Sequence, residues 1–163
     1  MSNLEKATVK RVRTALIDLD LPDNVIELAM PSYAPAAAAA LAVEPGAIAK
    51  TLVYSVGNRY VLVLVAGDHD CQVDQLPRAF SLDGSVVRPG VDLVRAVTGF
   101  SIGAVSPVGL VAKLPTAIDA SLKKYEKIYV SAGDPHCVFE TTMDQLKQLT
   151  KGVVSYAVAK PKK

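Results

Sequence analysis

The sequence predicts an α+β domain built on a mixed sheet or a small barrel, and three observations carry that prediction. Thr51–Val56 and Tyr60–Ala66 are rich in β-branched residues and are separated only by Gly57-Asn58-Arg59, a strong hairpin signal. Helix signals occur elsewhere, in the S-x-x-E pattern of Ser2–Glu5, the alanine run Ala36–Ala40 and the start at Thr142. Roughly seven short strands and four or five helices follow one another without regular β-α alternation, which argues against a doubly wound parallel sheet.

Taken in order, Ser2-Asn3-Leu4-Glu5 reads as a capping box, after which Val9, Val12, Leu16 and Leu19 fall on one helical face. Leu21-Pro22-Asp23 ends that helix, and Val25–Leu28 is a short strand closed by Pro31. Pro35 opens a second helix at its first position, and Pro45-Gly46 stops it. Within the hairpin, the second strand is apolar throughout, as expected of a strand buried on both faces. Gly67-Asp68-His69-Asp70 reads as a polar turn, Asp74–Phe80 as a short helix restarting near Pro77, and Val86–Arg88 as a brief strand. Val91–Val97 is a helix closed by Gly99. Thr116–Ile118 reads as a strand and Ala120–Tyr125 as a helical turn. Lys127–Ala132 alternates like a strand, with Gly133-Asp134-Pro135 as the turn into Val138–Thr141. Thr142–Gln145 caps a helix to Thr150, and Val153–Val158 closes as a strand.

The 163 residues form one expected domain, 1–163, long enough to bury about two-thirds of the unfolded surface. Its net charge of +2 gives no strong electrostatic case for nucleic acid, and DNA and a membrane surface are not expected partners. Lys6, Lys10, Arg11 and Arg13 near the start, and the basic tail 160–163, read as solvated faces. The longest apolar run, Tyr60–Ala66, is far short of the roughly 20 residues of a membrane span. Charges at Glu5, Lys6, Lys10 and Arg11 interrupt the first helix, so it does not read as a signal peptide. Two cysteines are too few for a disulfide framework, which favours a reducing, cytoplasmic setting.

Two features suggest chemistry. Thr98–Leu110, TGFSIGAVSPVGL, holds three glycines and a proline and carries no charge, an unusual composition for a surface loop. It reads either as a backbone-built site, whose amides act in place of side chains, or as a connection packed beneath the fold. Lys50 enters a buried strand between apolar neighbours and must reach water or an anionic or carbonyl partner. Zinc is not expected, because His69, Cys71, His136 and Cys137 lack the spacing of a structural site. His136 and Cys137 would point oppositely on a strand, which disfavours a Cys–His nucleophile pair. Neither a G-x-S-x-G elbow nor a G-K-[ST] phosphate loop occurs.

Ile48-Ala49-Lys50-Thr51-Leu52-Val53-Tyr54, then Tyr60–Gly67, then Thr98–Gly109 with its Gly103–Pro107 loop, resemble the YbaK/prolyl-tRNA-synthetase-associated domain family in order and spacing. The likeness runs over about Pro31–Val158 and, among subgroups, is similar to the freestanding trans-editing proteins of the ProXp-x type. It implies a deacylase that hydrolyses the ester of a mischarged small amino acid on tRNA, with tRNA(Pro) the foremost substrate. It implies an α+β fold with a mixed, barrel-like sheet and flanking helices, neither metal nor cofactor, and no covalent enzyme intermediate. The implied partners are the acceptor end of mischarged aminoacyl-tRNA and, beyond it, prolyl-tRNA synthetase or an elongation factor. A noncatalytic regulator that binds aminoacyl-tRNA or a synthetase is the alternative.

On this resemblance Lys50, Gly103 and Ala104 are the expected catalytic residues, and Ser101, Val105, Ser106, Pro107 and His136 the expected substrate-binding ones. The amides of Gly103, Ala104 and their neighbours would hold an oxyanion, while Lys50 would meet either the terminal phosphate or the carbonyl region. No general base is evident, so the substrate's own ribose hydroxyl is the expected activator of water. The chain departs from the family pattern at Ala34, where a hydroxyl residue is common, leaving Ser32 or Tyr33 to supply that contact. It departs again at Val138, where some members carry aspartate.

Overall fold

A computed structural model describes residues 2–163 and arranges ten strands and five α-helices among them in three sheets. The principal sheet has the order β5-β2-β3-β6-β9, formed by Val86–Val87, Lys50–Val56, Arg59–Val65, Thr116–Asp119 and Val153–Ser155. It is mixed: β2 and β3 pair antiparallel, while β3–β6 and β6–β9 pair parallel. β3 lies at its centre with Val61–Val65 wholly buried, as its uninterrupted apolar sequence requires. A second, antiparallel sheet has the order β1-β8-β7, from Val25–Glu27, Cys137–Thr141 and Ile128–Asp134. The third is a ribbon of β4 (His69–Cys71) and β10 (Ala159–Pro161).

The α+β class and the mixed sheet are as expected, but the sheets do not close into one barrel. The first two meet at a parallel bridge between Ile48 and Tyr129, where the Ala49 amide donates to the Tyr129 carbonyl at 2.8 Å. Helix α1 (Ala7–Asp18) packs against β7, and its Val9, Val12 and Leu16 enter a core with Phe100, Ile128, Val130 and Phe139. Burying side chains of this size is worth about 1.5–3 kcal/mol each. Helix α2 (Ala36–Leu41) presents Ala37 to Leu28, Tyr129 and Val138, a close approach that only a small side chain allows. Helices α3 (Leu76–Phe80), α4 (Val91–Thr98) and α5 (Met143–Thr150) complete the set.

Several local expectations are corrected. Ser2 caps a single 3-10 turn, accepting from the Leu4 amide, and α1 begins only at Ala7. Glu5 turns instead to Lys10 and Arg13. Gly133 and Asp134 belong to β7, which runs to Asp134 through a register shift, so Pro135-His136 makes the turn. Gly133 lies at φ +97°, and a Cβ there would stand 2.8 Å from the Thr8 carbonyl, so glycine is what lets α1 approach the bulge. Val153–Val158 is not one strand: it bends after Ser155, and the chain continues into β10.

Candidate functional site

A cavity of about 680 Å³ opens where β2, α4, the glycine-rich loop and the segment before α2 meet. That is within the range of small-ligand pockets, about 300–1,000 Å³. Its position follows from pairing: β5 covers β2 only at Ser55 and Val56, which leaves the stretch from Lys50 to Val53 as an open strand edge. All four of those residues line the cavity. Open edges present unpaired backbone donors and acceptors, and this one borders the cavity.

Lys50 stands at the start of that edge, half-buried, its Nζ donating to the His69 carbonyl. Burial pushes its pKa down from 10.5, and the neighbouring Lys162 pushes it further. The hydroxyl of Thr51 and that of Ser131 on β7 are buried with no hydrogen-bond partner, and both residues line the cavity. Unsatisfied buried hydroxyls are uncommon in folded proteins. Tyr33 is 68% exposed at the rim, with its ring edge 3.5 Å from where a Gly103 Cβ would lie. Ser32, Ala34 and Pro35 adjoin it, so both hydroxyl residues named for the Ala34 departure are at the cavity. Val138, by contrast, is core.

The glycine-rich stretch divides between its two expected readings. Phe100, Ala104, Val105, Ser106, Pro107 and Val108 are buried, whereas Ile102, Gly103 and Val105 line the cavity. Much of its backbone is committed internally: the Ala104 amide donates to the Ser101 carbonyl at 2.9 Å, Val108 to Ser106 Oγ at 3.1 Å, and Phe100 to Thr98 Oγ1 at 3.0 Å. Among the described residues no protein group accepts from the Gly103 or Val105 amides. Ala104 therefore has no amide to offer and does not face the cavity, which corrects its expected donor role. Ser101, Ser106 and Pro107 shape the loop without lining the cavity.

His136 also lies off the cavity wall. Its Nδ1 is 3.1 Å from the Leu28 carbonyl, and its amide donates to Asp134 Oδ1 at 2.8 Å. Cys137 is fully buried; burial, with Asp134 and Glu27 nearby, pushes its thiol up to about 11, which suits packing and not nucleophilic attack. Cys71 and His69 sit on β4 and His136–Cys137 at the β7–β8 turn, and among the described residues no three His, Cys, Asp or Glu gather as metal ligands. Helices long and apolar enough to cross a membrane are likewise absent among those residues.

Sequence reading missed Arg11. From α1 its guanidinium donates to the Gly109 carbonyl at 2.6 Å and the Gly99 carbonyl at 2.8 Å, and stacks 4.5 Å from the Phe100 ring centre. One side chain thus clamps both ends of the loop that carries Gly103. Arg88 and Lys162, which also line the cavity, were missed too.

A family model described as an aminoacyl-tRNA editing domain matches residues 32–149. The chain is 32% identical over 117 residues to EbsC of Enterococcus faecalis, described as a candidate Cys-tRNA(Pro)/Cys-tRNA(Cys) deacylase, covering 71% of this chain and 70% of that protein. It is 26% identical over 155 residues to the uncharacterized protein YwhH of Bacillus subtilis, covering 94% and 98%. A crystal structure described as a candidate trans-editing enzyme for prolyl-tRNA synthetase superposes with a TM-score of 0.87 at 29% identity, over 95% of this chain and 98% of that one.

Proposed function

The chain belongs to the aminoacyl-tRNA editing domain family, and from that membership we propose that it is a trans-acting deacylase hydrolysing the ester of a mischarged small amino acid on tRNA, with tRNA(Pro) the foremost substrate and the cytoplasm its setting. The observation that carries the reading is the cavity itself. It combines an open strand edge, a lysine and the uncommitted Gly103 and Val105 amides, and no carboxylate or thiol lines it among the described residues. Such a wall can hold and polarise an ester, with no carboxylate or thiolate of its own to attack it.

The chemistry then runs through water. Its oxygen attacks the ester carbonyl carbon, the amides of Gly103 and Val105 donate to the developing oxyanion, and the carbon–oxygen bond to the terminal ribose breaks. The adjacent ribose hydroxyl takes the water's proton and passes it to the departing oxygen, supplying the general base that the wall lacks. Thr51 and Ser131 receive the amino group or a small polar side chain, while Ala34, Ala38, Val94 and Val105 limit its size. Such a pocket excludes bulk better than it rejects anything smaller.

The test is hydrolysis of a panel of tRNAs charged with cysteine, alanine, serine and proline. Gly103→Ala is run alongside: its φ of +85° disfavours any side chain, although a methyl would find room against Tyr33. Cysteinyl- or alanyl-tRNA(Pro) should be cleaved, with kcat lowered about 10²-fold by the substitution. Tight binding of every substrate without hydrolysis would instead establish the noncatalytic alternative.

A further inference from the structure

The matched region does not supply the whole cavity wall. Lys162 lines it, yet lies beyond residues 32–149. It follows β10, whose Ala159, Lys160 and Pro161 pair with Cys71, Asp70 and His69 of β4. The ribbon is anchored from within, because Val158 is fully buried and its carbonyl accepts from the Gln72 amide at 2.6 Å. At its far end the Lys162 amide donates to the Asp68 carbonyl at 3.0 Å. The next carbonyl along, that of His69, receives the Nζ of Lys50. Two consecutive carbonyls of one turn therefore seat both lysines, one by its backbone and the other by its side chain. The ammonium of Lys162 is left free to reach the cavity.

The charge of Lys162 disfavours that of Lys50, an effect that Asp70 and Asp119 partly offset. Arg88 brings a third cation to the same wall, and among the described residues none of the three forms an ion pair. The carboxylate of Asp68, at the centre of the turn, is directed to His69 Nδ1 at 2.7 Å. An amino-acid ester does not explain the arrangement, since its ester is neutral and its amino group is itself cationic. A phosphodiester one nucleotide away from the ester does explain it.

We propose that the C-terminal strand is part of the site: it carries Lys162 onto the cavity wall beside Lys50 as a phosphate-binding residue for the phosphodiester that precedes the terminal nucleotide. The assignment rests on reading the cavity as an acceptor-end site, and it orients the substrate. The phosphate lies at the Lys50–Lys162 end and the amino acid toward Thr51 and Ser131. A basic tail that composition marks as solvated becomes a binding element.

The experiment is a chemical-shift titration with the dinucleotide CpA, which holds one internal phosphodiester, and with adenosine, which holds none. Wild type should bind CpA more tightly than adenosine. Lys162→Gln should weaken CpA about five- to tenfold and leave adenosine unchanged, the latter reporting that the cavity is intact. Lys162→Arg should restore most of the loss. Lys160→Gln, off the cavity wall, should do nothing. Equal CpA affinity in wild type and Lys162→Gln overturns the proposal, as does an equal loss in Lys160→Gln, which would mean diffuse charge. The titration is independent of the deacylase reading. If no ester is cleaved but CpA still requires Lys162, the phosphate site stands and the reaction falls; if esters are cleaved with KM unaltered in Lys162→Gln and CpA is unaffected, the reverse holds.

Discussion

Lys50 illustrates how a single residue can be poor for folding and still be suited to a site. Burial and the Lys162 charge lower its pKa from 10.5, so folding favours release of its proton. Between the lowered native value and 10.5 the unfolded chain holds more protons, and stability must rise with pH across that window. Lys50→Met removes a charge that the fold does not want. The variant is expected to unfold at a higher urea concentration than wild type at neutral pH, to lose the alkaline rise in stability, and to hydrolyse its substrate at least 10²-fold more slowly. Urea titrations at several pH values, with single-turnover assays alongside, check all three. A less stable variant would mean that the Nζ–His69 contact outweighs the burial of charge. Lys50 was legible because a cation among apolar residues is a local contradiction; the two unpartnered hydroxyls of Thr51 and Ser131 were not, since their isolation exists only once β7 and β2 face each other.

At the scale of elements, legibility followed sequence separation. The β2–β3 hairpin could be read because its strands lie either side of a short glycine turn and carry β-branched residues. The β4–β10 ribbon could not, because three-residue strands at opposite ends of the chain leave no periodicity to find. Gly103–Pro107 reads from sequence as a loop of interest, but nothing in the sequence shows that the Ala104 and Val108 amides are taken up in its internal turns. Arg11 was invisible for a similar reason: its acceptors are backbone carbonyls 88 and 98 residues away. Its clamp makes α1 a positioning element for Gly103. Arg11→Met should destabilise the protein by about 1–3 kcal/mol, as loss of charge-assisted hydrogen bonds does. It should also speed hydrogen exchange at the Ala104 and Val111 amides, which close the loop's internal turns, and lower kcat with little change in KM. Arg11→Lys should recover only part, because an ammonium cannot serve both carbonyls as a fork. Unchanged exchange at Ala104 would separate Arg11 from the site.

For the whole molecule the governing quantity is the contrast between a small net charge and a concentrated local one. The chain carries only +2 in total, so long-range attraction to tRNA is weak. Lys50, Arg88 and Lys162 nevertheless share one cavity wall without carboxylates. Binding should therefore draw its electrostatic part from a few contacts at the single-stranded acceptor end and not from a broad basic face. Three cation–phosphate contacts on a single strand, the most this wall can make, give a slope of about −2 in log K against log salt. Lys162→Gln should flatten this to about −1.4, one contact fewer. Fluorescence anisotropy of end-labelled tRNA over a salt series measures both values. A slope steeper than about −5 would require many more contacts than the wall supplies and would move recognition onto the exposed lysines elsewhere on the surface. A slope near −2 that Lys162→Gln leaves unaltered would keep the local site and remove the C-terminal strand from it.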